Sequence, residues 1–277
     1  MMRSEPSGRL AAAVVLLTTG ALLLTGLAVA GGGPTTPFVV AAAESVETSA
    51  PLSAPGHDEV DVSTDAMSLT SAGTEAAADA GRPRAASTWV AGVARATGIP
   101  QVALRGYANA TLALRTEDPG CGLDWTTLAG IGAIESGHGT HGSSVLGEDG
   151  RAFPSIIGPA LDGGAFAAIP ATELSTTLDG DAHWQHAVGP LQFLPDTWDR
   201  WGADGDDDGV SDPQDVDDAA LAAGRYLCAG DSTLGTPTGW HRAILSYNHD
   251  EEYVAAVLVR ADSYATASRT ASVASAP

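Results

Sequence analysis

The stretch at residues 124–139, DWTTLAGIGAIESGHG, decides the fold of this chain, because it joins a helix start, an apolar stripe and a helix stop. Asp124 is a good N-cap, since its side chain can accept hydrogen bonds from the first backbone amides of a helix. Leu128, Ile131 and Glu135 follow at i, i+3 and i+7, which places them on one helical face. The glycines at the end of the stretch then stop the helix.

A carboxyl group at the end of an apolar stripe is the chemically unusual feature of this helix. Burial disfavours the charged form, so we expect a raised pKa for Glu135 and a retained proton near neutral pH. A protonated carboxyl in such a place can act as a general acid. The alternative that the pattern leaves open is a surface glutamate on the frayed end of the helix.

The rest of the chain predicts further helices and little strand. Residues 144–187 are rich in glycine and proline, so we expect long loops there, with room for a short hairpin. The predicted fold class is therefore predominantly α. The predicted helices are 89–97, 101–114, 124–136, 195–201, 215–228, 240–247 and 253–261.

Both ends of the chain differ in composition from its middle. Residues 1–30 have a basic start and a long apolar run, which predicts a signal peptide or an uncleaved signal anchor. Residues 31–87 are small, polar and acidic, so we expect a disordered linker, and residues 265–277 a disordered tail. The folded domain is predicted to span residues 88–264 of an exported protein, located in the cell envelope or outside the cell.

Charge and cysteine content narrow the class of protein. The net charge of −21 argues against nucleic acid as a partner, because phosphate binding needs basic clusters. The two cysteines, Cys121 and Cys228, both lie in the predicted domain. In an exported protein an isolated pair is most simply a disulfide. The alternative is two free thiols or one nucleophilic thiol.

Three motifs lie in the predicted domain, E-S-x-x-G at 135–139, G-x-x-Q-F-x-P-x-[ST]-W at 189–198 and A-x-x-x-Y-N at 243–248. Together they resemble the lytic transglycosylases, a superfamily with a lysozyme-like α fold, and are most similar to the membrane-bound lytic transglycosylase B type. The resemblance implies cleavage of peptidoglycan between N-acetylmuramic acid and N-acetylglucosamine, with formation of a 1,6-anhydromuramic end. It implies that Glu135 acts first as the acid and then as the base. His138 departs from the family pattern, which more often has tyrosine there. It remains an unassigned candidate, either for lining the groove or for supporting the residues that do, and a purely structural histidine is the alternative.

The resemblance also implies substrate-binding roles for four residues of these motifs, Ser136, Gln192, Tyr247 and Asn248. Trp184, in the loop before the second motif, is the best candidate for stacking on a sugar ring. The alternative for these residues is structural. A polar helix start, a core tyrosine, a helix C-cap and a core tryptophan would give the same sequence.

An acidic loop at residues 204–215, DGDDDGVSDPQD, fits the calcium-loop pattern D-x-D-x-D-G-x5-[DE]. Without a cation its carboxylates would repel one another, although a solvated acidic loop is the simpler alternative. The resemblance agrees with the pattern, since B-type enzymes can carry an EF-hand-like loop. The predicted ligands of one structural Ca²⁺ are Asp204, Asp206, Asp208, the Val210 carbonyl, Asp212 and Asp215.

Two further functions are left open by the sequence. One is a hydrolytic muramidase of goose-type lysozyme character, in which water attacks in place of the muramyl 6-hydroxyl. The other is a non-catalytic peptidoglycan-binding module. In each case the expected partner is the glycan strand, and we expect a monomer that meets a membrane only through an N-terminal anchor.

Overall fold

The computed structural model describes residues 82–164, 166–230 and 233–274, so the predicted signal segment and most of the predicted linker lie outside the described residues. Within these ranges the protein is predominantly helical, as predicted, with eight helices and one two-stranded hairpin. In chain order the elements are α1 (Ser87–Thr97), α2 (Gln101–Glu117), α3 (Trp125–Ser136), β1 (Val145–Leu146), β2 (Ala152–Phe153), α4 (Glu173–Asp179), α5 (Pro195–Trp201), α6 (Val216–Cys228), α7 (Pro237–Tyr247) and α8 (Glu251–Ala274).

Helix α3 begins and ends as the sequence predicts. The Asp124 side chain accepts from the Thr126 amide, and Gly137 closes the helix with a left-handed φ of 60°. The helix differs from the prediction in its surroundings, because it is buried on most sides rather than along one stripe. It packs mainly against α8 and also against α2. At Gly130 a Cβ atom would lie 2.8 Å from the Val257 carbonyl oxygen, so glycine permits the close approach of α3 and α8.

Helices α2 and α6 form the other main packing pair of the domain. A covalent link closes this part of the fold, since Cys121 and Cys228 form a disulfide across a sequence separation of 107 residues. The predicted pairing is therefore confirmed. The bond joins the segment before α3 to the last residue of α6, so it holds the start of the Glu135 helix against the α2–α6 pair.

Both predicted domain boundaries need correction. Residues 82–86 were assigned to a disordered linker, but Arg82 and Arg84 donate to backbone carbonyls of the acidic loop, and α1 begins at Ser87. The predicted tail is helical as far as Ala274 because α8 continues past Tyr264, which is 9% exposed and packs in the core. Alanine-rich sequence of low complexity is also good helix sequence once such an anchor is present.

The region between α3 and α5 contains the predicted hairpin and one helix that the sequence analysis missed. Strands β1 and β2 pair antiparallel, with Val145 opposite Phe153. Helix α4 is only seven residues long and starts with a capping box between Thr172 and Ser175, which the loop-like composition concealed. Among the described residues no helix combines the length and apolar character needed to cross a membrane.

Candidate active site

Glu135 lies in the last turn of α3 and is 1% exposed. Its Oε1 atom accepts a hydrogen bond of 2.6 Å from the Tyr253 hydroxyl. Its Oε2 atom is buried without a hydrogen-bond partner among the described residues. A buried polar atom left unpaired is costly, and such atoms in native folds are often found where a ligand or a reaction partner belongs.

The surroundings of Glu135 favour its neutral form. Burial raises the pKa of Glu135 well above the ordinary value of 4.5, and the hydrogen bond from Tyr253 opposes this only in part. The buried surroundings therefore favour the protonated carboxyl over the carboxylate. With Oε1 occupied as an acceptor, the proton belongs on Oε2, where no protein group competes for it.

The raised pKa of Glu135 predicts a pH-dependent stability. Below about pH 4 the carboxyl is protonated in both the folded and the unfolded chain, so Glu135 does not change the free energy of unfolding with pH. Above that value only the unfolded chain loses the proton, which lowers the free energy of unfolding. Glu135→Gln removes this effect. We expect the variant to gain stability over wild type as the pH rises above about 4, by up to about 1.4 kcal/mol per pH unit until the folded-state pKa is reached.

Urea unfolding of both proteins at several pH values measures this difference. The control is Glu117→Gln, which changes a partly exposed glutamate paired with Arg225. A constant difference between Glu135→Gln and wild type from acid to neutral pH would contradict a raised pKa.

Tyr253 is a residue of the candidate site that the sequence analysis missed. It was assigned only to the start of a helix, yet it is fully buried and donates to the Glu135 carboxyl. The two residues are separated by 118 positions in the chain. The only available signal was a tyrosine on the apolar face of the last helix, and that pattern equally describes a core residue.

The turn at residues 189–193 contains Gln192 and accepts hydrogen bonds from two other predicted site residues, Ser136 and Tyr247. The Ser136 hydroxyl donates to the Pro190 carbonyl at 2.6 Å, and the Tyr247 hydroxyl donates to the Leu191 carbonyl at 2.8 Å. Gln192 lies in the same turn with a left-handed φ of 50°. Ser136 and Tyr247 therefore fix the turn beside Glu135, a structural contact that the sequence analysis gave only as the alternative.

Gln192 carries the second unpaired oxygen of this region. Its amide nitrogen donates to the Gly189 carbonyl at 3.0 Å, while Oε1 is buried without a partner among the described residues. A Cβ atom at Gly158 would lie 2.6 Å from this oxygen, so the absence of a side chain there leaves room for the amide. The unpaired side-chain oxygens of the described core thus belong to two residues, Glu135 and Gln192.

The remaining two predicted substrate residues lie at the edge of this group or outside it. Asn248 follows α7 as its C-cap and is 9% exposed, next to the buried Tyr247. Trp184 is half-buried in a separate loop, where its backbone pairs with Pro170 and its amide donates to Asp181. None of these contacts joins Trp184 to Glu135.

The acidic loop gathers a different set of carboxylates from the predicted one. Ligand atoms of Asp204, Asp206 and Asp218 lie within 4.8 Å of one another. Asp218 lies on α6, beyond the twelve-residue pattern, and was not predicted. Its two oxygens also accept from the amides of Gly205 and Asp212, which tie the loop to the helix.

Three of the predicted ligands lie outside this close group and make other contacts within the fold. Asp215 is the N-cap of α6, and Asp212 accepts from the Gln214 amide. Asp208 accepts from the Val210 amide and pairs with Arg151. The side chain of Val210, whose carbonyl was the sixth predicted ligand, is 49% exposed.

Carboxyl groups are crowded at this cluster and at the neighbouring Asp215. Burial raises the pKa of Asp215 to about 7 and that of Asp218 to about 6, and nearby carboxylates add to both shifts. Hard carboxylate oxygens in such an arrangement suit Ca²⁺. A cavity of about 440 Å³ adjoins the loop, and neither Glu135 nor Tyr253 lines it. It is lined by Arg84, Ala85, Arg105, Asn109, Glu148, Asp149, Asp206 and Asp217.

Comparisons with known proteins were made by sequence and by structure. No family model matches the chain, and no curated protein matches it. Among solved structures the chain resembles SltB3 from Pseudomonas aeruginosa in complex with NAG-anhNAM-pentapeptide, with 18% sequence identity and a TM-score of 0.38. The match covers 62% of this chain and 65% of that chain, so it spans less than two thirds of the solved structure's chain.

Proposed function

We propose that this chain is an exported lytic transglycosylase of the B type, which cleaves the β-1,4 bond between N-acetylmuramic acid and N-acetylglucosamine in peptidoglycan. The observation that carries the proposal is the state of Glu135. It is a buried carboxyl with a raised pKa, held at Oε1 by Tyr253 and with Oε2 unpaired. A single protonated carboxyl of this kind is what general acid catalysis of glycoside cleavage requires.

The reaction proceeds in two proton transfers at Glu135. Oε2 gives its proton to the glycosidic oxygen as the bond from that oxygen to C1 of the muramyl sugar breaks, and the N-acetylglucosamine leaves with a free hydroxyl. The carboxylate then takes the proton of the muramyl 6-hydroxyl, whose oxygen bonds to C1 and closes the 1,6-anhydro ring. The 2-acetamido group supports the oxocarbenium-like state between the two steps, so no second catalytic carboxylate is needed.

The side chains around Glu135 have supporting parts in this scheme. Tyr253 fixes the carboxyl through Oε1 and leaves Oε2 to face the glycosidic oxygen. The unpaired Oε1 of Gln192 offers an acceptor for an amide or hydroxyl proton of the glycan. Because Glu135 and Gln192 are each 1% exposed, the proposal requires that the residues covering them move when a glycan binds.

Digestion of purified peptidoglycan tests the function. Mass spectrometry of the products separates the three candidate functions. Anhydromuropeptides are the expected result, reducing-end muropeptides would indicate a hydrolytic muramidase, and the absence of any product would indicate a binding module. Either of the last two results contradicts the proposal.

Export is part of the same proposal. The apolar run within residues 1–30 and the Cys121–Cys228 disulfide both suit a protein that leaves the reducing cytoplasm. We propose that the domain acts on glycan strands in the cell envelope as a monomer.

We further propose that one Ca²⁺ binds to Asp204, Asp206 and Asp218 and acts structurally. The three carboxylates lie close enough to share one ion, and a buried carboxylate such as Asp218 needs a positive partner. The ion would hold the acidic loop on the start of α6. It takes no part in the chemistry at Glu135.

Thermal unfolding with and without calcium tests this site. Binding to the folded state alone adds about 2.7 kcal/mol at 100 times the dissociation constant, which corresponds to about 5–10 °C in Tm for a domain of this size. We expect Asp206→Asn and Asp218→Asn each to remove the response to calcium. Asp207→Asn is the matched control, since Asp207 pairs with Arg82 and Arg84 outside the cluster.

Two outcomes count against this ligand set. Superimposable melting curves in calcium and in chelator would show that the loop binds no calcium. Loss of the calcium response in Asp215→Asn but not in Asp218→Asn would instead support the ligand set predicted from the sequence.

A further inference from the structure

A turn of three consecutive left-handed residues follows the end of α3. The φ angles are 60° at Gly137, 62° at His138 and 81° at Gly139. These angles suit glycine and are strained for a residue with a Cβ atom. His138 is one of three non-glycine residues with a positive φ in the part of the chain that the structure describes. A strained residue persists where the contacts around it hold it in place.

Two tyrosine hydroxyls hold the His138 ring, one at each nitrogen. Nδ1 lies 3.2 Å from the Tyr107 hydroxyl, and Nε2 lies 2.9 Å from the Tyr264 hydroxyl. Burial lowers the pKa of His138 to about 4, and the charge of Arg260 acts in the same direction. The ring is therefore neutral at neutral pH, so one nitrogen donates to a tyrosine and the other accepts from one.

These contacts tie the end of α3 to two other helices. Tyr107 belongs to α2 and Tyr264 to α8. Helix α8 also carries Tyr253, which donates to Glu135. His138 follows Glu135 by three positions, so the contact from His138 to Tyr264 and the contact from Glu135 to Tyr253 both join α3 to α8.

We propose that His138 is a positioning residue that, by bonding Tyr107 and Tyr264 at the end of α3, keeps the Glu135 carboxyl on the Tyr253 hydroxyl. The inference rests on the function proposed above and deepens it, because it identifies the contacts that hold the Glu135 carboxyl in place. His138 acts through Glu135 without meeting the glycan. Misplacing a reacting group by about 1 Å can cost about 100-fold in rate, so a small slip of α3 against α8 would be felt in turnover.

A positioning role and a purely structural role predict different measurements. A structural residue changes stability alone. A slip of α3 against α8 would also loosen the shell around Glu135 and admit water, which favours the charged carboxylate and lowers the pKa of Glu135. Turnover and the pKa of Glu135 should therefore change together.

The test uses full-chain variants that alter hydrogen bonding and little else. Tyr264→Phe removes only the hydroxyl at Nε2. His138→Asn keeps a residue that tolerates the left-handed backbone but is too short to bond both tyrosines. The control is Tyr226→Phe, because the Tyr226 hydroxyl donates to the Ser246 carbonyl at 2.6 Å and has no contact with His138.

Two readouts are compared with wild type for every variant. One is kcat and KM on soluble glycan strands. The other is the pKa of Glu135, from ¹³C NMR of labelled glutamate side chains assigned with Glu135→Gln. We expect Tyr264→Phe and His138→Asn to lower kcat by about 10-fold or more, leave KM within about twofold, and lower the pKa of Glu135.

The proposal fails if Tyr264→Phe and His138→Asn lower the melting temperature but match Tyr226→Phe in kcat and in the pKa of Glu135. The pKa readout does not depend on catalysis. If wild type proves inactive, the proposed function is wrong, but the positioning role can still be tested. An unchanged pKa of Glu135 in both variants then overturns the positioning role, and a lowered pKa supports it. Tyr264→Phe differs from wild type by one oxygen atom, so a folded variant is available even if His138→Asn unfolds.

Discussion

Replacing Glu135 with glutamine is expected to abolish glycan cleavage and to leave the domain folded. Glutamine has nearly the same shape, and its carbonyl oxygen can still accept from Tyr253, but it has no proton to give to a glycosidic oxygen. General acid–base catalysis contributes about 10²–10⁴-fold, and a residue that serves in both steps should lie at the upper end of that range or above it. Product release from purified peptidoglycan measures the loss.

The matched control for this substitution is Glu117→Gln. Glu117 lies at the end of α2 and bonds to Arg225 on the surface, so its replacement should leave cleavage near the wild-type rate. Circular dichroism of both variants shows whether the fold is kept. Turnover by a folded Glu135→Gln protein within about tenfold of wild type would contradict the assignment of Glu135 as the acid.

Removing the disulfide is expected to have the largest effect on stability. Cys121 and Cys228 close a loop whose ends are 107 residues apart, and a cross-link of that span restricts the unfolded chain strongly. We expect the double variant Cys121→Ala with Cys228→Ala to lose about 2–5 kcal/mol of unfolding free energy. Urea unfolding measures the change.

Reduced wild-type protein is the control for the double variant. It should unfold at nearly the same urea concentration, since both lack the cross-link and differ only in two sulfur atoms. Equal unfolding midpoints for the oxidised wild type and the double variant would show that the bond adds nothing to the stability of the folded domain.

The sequence predicted the helices whose ends carry capping residues, because a capping residue acts on its immediate neighbours in the chain. Helix α3 has an aspartate at its start and a glycine at its end, and both residues act as predicted. Helix α5 starts at Pro195, where proline fits the first helical position. The burial of Glu135 also followed from its position on the apolar side of α3.

Contacts between distant segments could not be predicted from the sequence. Tyr253 meets Glu135 only because α8 packs on α3, and the periodicity of α8 does not distinguish that tyrosine from any core residue. Asp218 joins Asp204 and Asp206 because α6 folds back on the loop, whereas the loop pattern ends at Asp215. The length of α8 depended in the same way on the packing of Tyr264.

Digestion of peptidoglycan in H₂¹⁸O tests the central claim most directly, because it shows which oxygen closes the reaction. If Glu135 takes the proton of the muramyl 6-hydroxyl and the 6-oxygen closes the ring on the same sugar, wild type yields anhydromuropeptides that carry no ¹⁸O. Glu135→Gln then yields no anhydromuropeptides. Reducing ends labelled with ¹⁸O would show that water attacks in place of the 6-hydroxyl. Equal product from wild type and from Glu135→Gln would contradict the role of Glu135 itself.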